Sequence, residues 1–142
     1  MPDEIFVDAS AWIAVTDKDD NYHSLAVEVY PTLLAKYRRL VTSNLVVAET
    51  HAALRLDLGH QAAMAFLENV RSSPRLLRVH ATQAMEDAAV EILRRYDDQD
   101  FSYADAVSFA LMKARGIKEA FAFDRHFATM GFRLVPALRG VR

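Results

Sequence analysis

Four carboxylates stand where folding stability alone gives them little reason to be. Asp8 closes the apolar run Ile5-Phe6-Val7, and Asp124 closes Ala120-Phe121-Ala122-Phe123. Glu49 and Asp105 lie inside segments of helical periodicity. At about 100° per residue, Glu49 projects within roughly 60° of Leu45, Val46, Ala52, Ala53 and Leu56, and Asp105 within roughly 60° of Ser108, Phe109 and Met112. Both acids are thus expected on the buried side of their helices. A carboxylate facing a core is costly unless it is paired or bound to a metal. Four of them, from two strand ends and two helices, predict one shared site for a hard cation. Mg²⁺ and Mn²⁺ prefer carboxylate and water oxygens, and at such a site they activate water and stabilise charge on a scissile phosphate. The chemistry implied is metal-dependent phosphodiester hydrolysis. Plainer readings exist for three of the four. Asp8 could cap a helix starting near Ser10, Asp124 could end a strand in a turn, and Asp105 follows Ser102 at capping-box spacing. Glu49 has no such alternative.

The elements that must position these acids follow from periodicity and punctuation. We read strand 4–8, helix 10–15, loop 16–21, helix 22–37, strand 39–42, helix 44–57 and, after Gly59, helix 60–72. Strand 75–79, helix 82–96, helix 103–115, strand 119–123, a short helical turn near 125–130 and strand 132–135 complete the order. Short apolar strands separated by helices predict an α/β fold with a mostly parallel central sheet flanked by helices. Ligands of such sheets bind beyond the carboxyl ends of the strands, where strand order reverses. Gly59, Gly116, Gly131 and Gly140 fall between or after periodic segments. No linker, repeat or low-complexity tract divides the chain, so residues 1–142 are expected to form a single domain.

With 17 basic and 19 acidic residues the net charge is −2, and setting the four acids aside leaves 17 against 15, a balance of +2. That argues against tight sequence-independent duplex binding. It allows a basic rim around an acidic centre, for which Lys113, Arg115, Lys118 and Arg125 are candidates. The absence of cysteine excludes thiolate metal sites and cysteine nucleophiles and suits a cytoplasmic protein. The acidic start Met1-Pro2-Asp3-Glu4 does not resemble a signal peptide. Asp17, Asp19, Asn21 and Glu28 match positions of a calcium loop, but Tyr22 stands where its turn needs glycine, which favours a solvated loop leading into a helix. The five histidines show no metal-ligand spacing; His126, beside Asp124, is the exception to watch. Trp12, Tyr22 and Tyr30 are either core or a partner surface.

Taken together, Phe6-Val7-Asp8-Ala9-Ser10, the stretch Thr42 to Glu49, Asp100-Phe101-Ser102-Tyr103-Ala104-Asp105-Ala106 and Ala122-Phe123-Asp124-Arg125-His126-Phe127, followed by Phe132–Val135, resemble a PIN-domain ribonuclease over nearly the whole chain. Within that superfamily the chain is similar to the VapC-type toxins of toxin–antitoxin pairs. The resemblance implies catalytic metal ligands at Asp8, Glu49, Asp105 and Asp124, with Asp8 and Asp105 at the core of the site and Ser10 and Ser102 as accompanying hydroxyls. Asp100 reads as a loop acid at the rim. The chain departs from many relatives in leading to Asp124 through Phe121-Ala122-Phe123 rather than through threonine. The activity implied is Mg²⁺- or Mn²⁺-dependent endoribonuclease action on RNA, with a cognate antitoxin partner and a homodimer. The competing reading is a PIN fold that binds RNA or protein without cleaving; the presence of all four acids favours catalysis. A small-molecule Mg²⁺ hydrolase shares the residue chemistry but not the resemblance.

Overall fold

The computed structural model describes residues 3–138; Gly140 and the Met1-Pro2 start lie outside them. In chain order the elements are β1 (Glu4–Val7), α1 (Ala9–Thr16), α2 (His23–Lys36), β2 (Arg39–Ser43), α3 (Asn44–Leu58), α4 (His60–Ser72) and β3 (Leu76–Val79). They continue with α5 (Gln83–Arg95), α6 (Tyr103–Arg115), β4 (Glu119–Phe121), α7 (His126–Thr129) and β5 (Arg133–Val135). The expected elements are all present, most with ends shifted by a residue or two. The largest shift is at β4, which stops at Phe121 rather than Phe123.

All strand pairs are parallel, in the order β3-β2-β1-β4-β5. The chain winds outward from β1 through β2 to β3, then returns to β1 and winds the other way through β4 and β5. The reversal therefore lies between β1 and β4. Ile5, Phe6 and Val7 are each 0% exposed. Successive strand side chains point to opposite faces, so both faces of the central strand are covered. That explains its unbroken apolar sequence.

Local chemistry sets the helix ends that matter here. Asp8 caps α1, Ser43 caps α3 through Val46 N, and Ser102 caps α6. Gly116 closes α6 in the left-handed conformation at φ 69°, a geometry open to glycine without a Cβ penalty. Trp12, expected as core or surface, is core: it meets Tyr30 and Phe66 edge-on, and it is buried.

Candidate functional site

Asp8 ends the central strand and turns the chain into α1. Its Oδ2 accepts hydrogen bonds from Ser10 N at 3.2 Å and Ser10 Oγ at 2.7 Å, and its backbone N donates to Phe121 O at the end of β4. The plain capping reading holds: Asp8 is the N-cap of α1. Asp105 also takes part in a cap: its N donates to Ser102 Oγ and its Oδ2 accepts from Ser102 N, each at 3.0 Å, completing a capping box. The second half of the expectation for Asp105 also holds, as the residue is buried together with Ser108, Phe109 and Met112.

Two placements differ from expectation. Asp124 does not close a strand; it lies in the turn between β4 and α7, where its Oδ1 accepts from His126 N at 2.9 Å. Phe123 leaves the sheet because its N donates to Ser10 Oγ at 3.0 Å instead of extending the ladder. Glu49 is exposed rather than on a buried face. The face of α3 that packs inward carries Val46, Val47, Thr50 and Leu54, about a third of a turn away from Glu49. The alanines and Leu56 that blurred the periodicity lie mostly outward, Leu56 at 85% exposure.

The four acids nevertheless lie close enough to feel one another's charge. Like charges on Asp105 and Asp124 act on Asp8, and those on Asp8, Asp105 and Asp124 act on Glu49. Burial pushes Asp8 up to about 6, with the two neighbouring carboxylates adding to it and the Ser10 hydrogen bonds opposing. Although the residue is exposed, partial loss of water around its carboxyl group, reinforced by the three other acids, pushes Glu49 up to about 7. Asp105 is also raised, mainly by burial, while Ser102 and His126 hold it back. Among the described residues no lysine or arginine forms an ion pair with any of the four. Partly desolvated carboxylates with no lysine or arginine beside them are what a divalent ion would relieve.

His126 is the site residue that sequence spacing did not commit to. Its Nδ1 lies 3.1 Å from Asp105 Oδ2 and 3.2 Å from Asp124 Oδ1, and one ligand atom from each of these three residues falls within 4.8 Å of the others. Phe101 holds the imidazole edge-on at 5.2 Å between centroids. The only signal in the sequence was adjacency to Asp124. Asp100 is an exposed loop residue, as expected.

The expected basic rim does not form as read. Arg115 binds Glu4 at 2.8 Å and lines a hollow with Lys118, Arg38, Glu119 and Arg133 at the amino ends of the strands. The reason is the length of α6. Arg115 is the last residue of this helix and Asp105 its third, and ten steps at about 1.5 Å each put Arg115 roughly 15 Å from Asp105 along the axis. Arg125, next to Asp124, is the one candidate that keeps its place. The calcium-loop residues are also spent otherwise: Asp17 Oδ1 accepts from Asp19 N and Asp20 Oδ1 from Tyr22 N. No described helix is long and apolar enough to cross a membrane.

Comparison with known proteins gives a consistent result. The PIN domain family model matches residues 5–133. The 23S rRNA-specific endonuclease VapC20 of Mycobacterium tuberculosis is 38% identical over 128 residues, covering 90% of this chain and 95% of its own. The crystal structure of that protein, described as a sarcin–ricin loop cleaving toxin, superposes with a TM-score of 0.83 over the same shares of the two chains. DNA-bound VapBC from Salmonella typhimurium shares the fold at a TM-score of 0.68 and 16% identity, over 94% of this chain and 97% of that one.

Proposed function

The chain belongs to the PIN-domain family, and from that premise we propose that it is a divalent-metal-dependent endoribonuclease, the toxin of a toxin–antitoxin pair, whose substrate is the sarcin–ricin loop of 23S rRNA. The observation that carries this reading is the cluster of Asp105, Asp124 and His126 beside the strand-order reversal, with Asp8 and Glu49 near enough to feel the charges of Asp105 and Asp124 and no lysine or arginine paired to the four acids among the described residues. The substrate is carried over from the relative at 38% identity. One domain across residues 1–142 carries the activity, and a ribosomal substrate places it in the cytoplasm. A cognate antitoxin and a homodimer complete the proposal.

The donor set fits Mg²⁺ or Mn²⁺: carboxylate oxygens, no thiolate and a single imidazole. Such an ion would supply an activated water and neutralise charge on the scissile phosphate. The protein's own residues do the positioning. Ser10 fixes Asp8 by two hydrogen bonds, Ser102 fixes Asp105 by the capping box, and His126 bridges Asp105 to Asp124. Glu49, the most exposed of the four, is suited to act through a water.

The test is incubation of the purified chain with ribosomes and with protein-free 23S rRNA, with Mn²⁺ and with EDTA, mapping new ends by primer extension. Metal-dependent cleavage in the sarcin–ricin loop that is lost in Asp8→Asn supports the proposal. Binding without cleavage would make the chain a non-catalytic RNA module. Antitoxin and homodimer are checked by co-purification with the product of the adjacent gene and by light scattering.

A further inference from the structure

Beside the acids lies an aromatic feature that metal chemistry does not use. Tyr22, in the loop before α2, stacks on Phe123 with ring centroids 4.8 Å apart and planes 15° apart. Phe123 immediately precedes Asp124. Its N is tied to Ser10 Oγ at 3.0 Å, and the same hydroxyl donates to Asp8 Oδ2 at 2.7 Å. Behind it, Phe121 meets Phe123 edge-on at 5.8 Å and stacks with Tyr30, which meets Trp12. Tyr22 is therefore the outer end of an aromatic column that begins in the core and passes along the catalytic turn. Phe123 covers one face of its ring, yet the residue stays 36% exposed, so Tyr22 is reachable from solvent.

The loop that presents this ring is already ordered. Asp20 Oδ1 accepts from Tyr22 N at 2.8 Å, Asp17 Oδ1 accepts from Asp19 N at 2.9 Å, and His23 Nδ1 is bonded to Ala14 O at 2.7 Å. A ligand landing on Tyr22 thus has little loop ordering to offset its binding. The charge of the loop narrows the ligand. Asp17, Asp19 and Asp20 repel a phosphate backbone but not the neutral face of a nucleobase. Unpaired RNA bases stack on exposed aromatic rings, a sequence-tolerant contact.

We infer that Tyr22, backed by Phe123, is a stacking platform for one base of the RNA next to the bond that is cut. This deepens the ribonuclease reading and rests on it. The ring is a positioning element for substrate and takes no part in the metal chemistry.

The experiment uses the full chain and a short RNA hairpin carrying the sarcin–ricin loop, with each nucleotide flanking the cut replaced in turn by an abasic residue. Losing the ring in Tyr22→Ala raises KM roughly tenfold, from the stacking contribution of one base, with kcat little changed. Tyr22→Phe restores the lower KM. Tyr22→Leu keeps apolar bulk over Phe123 and follows the alanine variant, so a folding defect in Tyr22→Ala does not stall the test. At one flanking position the abasic substitution removes the difference between wild type and Tyr22→Ala. 2-Aminopurine at that position is quenched on binding Asp8→Asn, and less so on binding Asp8→Asn with Tyr22→Ala. An unchanged KM in Tyr22→Ala and Tyr22→Leu, with only a lowered melting temperature, assigns the ring to packing and overturns the inference. An equal loss on every abasic substrate also overturns it. If wild type cleaves no RNA while remaining folded, the ribonuclease reading fails, and the platform with it.

Discussion

The two ends of the sheet use the same acidic residue types to opposite effect. At the amino ends of the strands, acids meet cations. Glu4 pairs with Arg115 at 2.8 Å and Arg39 at 3.5 Å, and Asp3 lies 3.9 Å from Arg38. Glu119 is buried but takes a hydrogen bond from Tyr37 Oη at 2.7 Å and an ion pair from Arg133. Burial alone would raise Glu119, yet the Tyr37 and Arg133 contacts bring it below the usual carboxylate range. At the carboxyl ends, Asp8, Glu49 and Asp105 are all raised. One end pairs its acids with arginines; at the other, hydroxyls, backbone N–H groups and His126 are the partners of Asp8, Asp105 and Asp124, and no lysine or arginine pairs with them among the described residues. The two sets of acids differ in their partners rather than in their burial, Glu119 being as buried as Asp8.

The strongest test of that contrast is activity. Asp8→Asn or Asp105→Asn is expected to lower ribonuclease turnover by about a hundredfold or more, since even outer partners of a metal site typically cost 10–100-fold. Glu119→Gln should leave turnover near wild type. Wild-type rates in both aspartate variants would end the distinction between the two ends.

Stability should show the mirror image. Glu119→Ala strands the buried Tyr37 hydroxyl and is expected to cost about 1–3 kcal/mol, read as a fall in the urea midpoint. Asp105→Asn in EDTA should cost less than this or even stabilise, because it removes one of the repelling charges. The lost capping-box carboxylate works against that gain.

Metal should act at one end only. Millimolar Mn²⁺ is expected to raise the melting temperature of wild type, by about 2.7 kcal/mol of stability if the ion is present at a hundred times its Kd. The gain should shrink in Asp105→Asn and persist in Glu119→Gln. Calorimetry with and without EDTA checks both.

The smallest effect is in pH. Asp8 and Glu49 have folded values of about 6 and about 7, above their ordinary 3.8 and 4.5. A raised carboxylate binds protons more readily when folded, so these groups penalise the metal-free protein increasingly as pH rises through that window. Lowering pH from 7.5 to 5.5 in EDTA should therefore raise the melting temperature modestly, and Mn²⁺ should abolish the rise. Glu119 runs the other way: its contribution is present above 4.5 and lost only as pH falls through its lowered folded value. A flat metal-free profile between 5.5 and 7.5 would count against the shared acidic site.

The fold was legible wherever punctuation is local. Ser102 and Gly116 bracket α6, and the apolar run of β1 announces a strand covered on both faces. What stayed hidden depends on distance through space. Nothing near Glu49 shows that α3 turns Val47 and Leu54 inward instead, because alanines satisfy either face. Arg115 and Lys118 are close to Asp105 along the chain but a helix length away in space. Tyr22 and Phe123 stack although most of the chain separates them. His126 reaches the acids only because α7 starts with one tight turn.

The strand order also has a consequence in time. The site needs the turn after β1 and the turn after β4, so its halves are made at well-separated times during synthesis. A chain still emerging from the ribosome holds Asp8 and Glu49 without Asp105 or Asp124. If the substrate is ribosomal RNA, the ribosome building this protein is not exposed to a finished active centre until β4 can dock against β1. An early-terminated fragment lacking β4 would be harmless for the same reason.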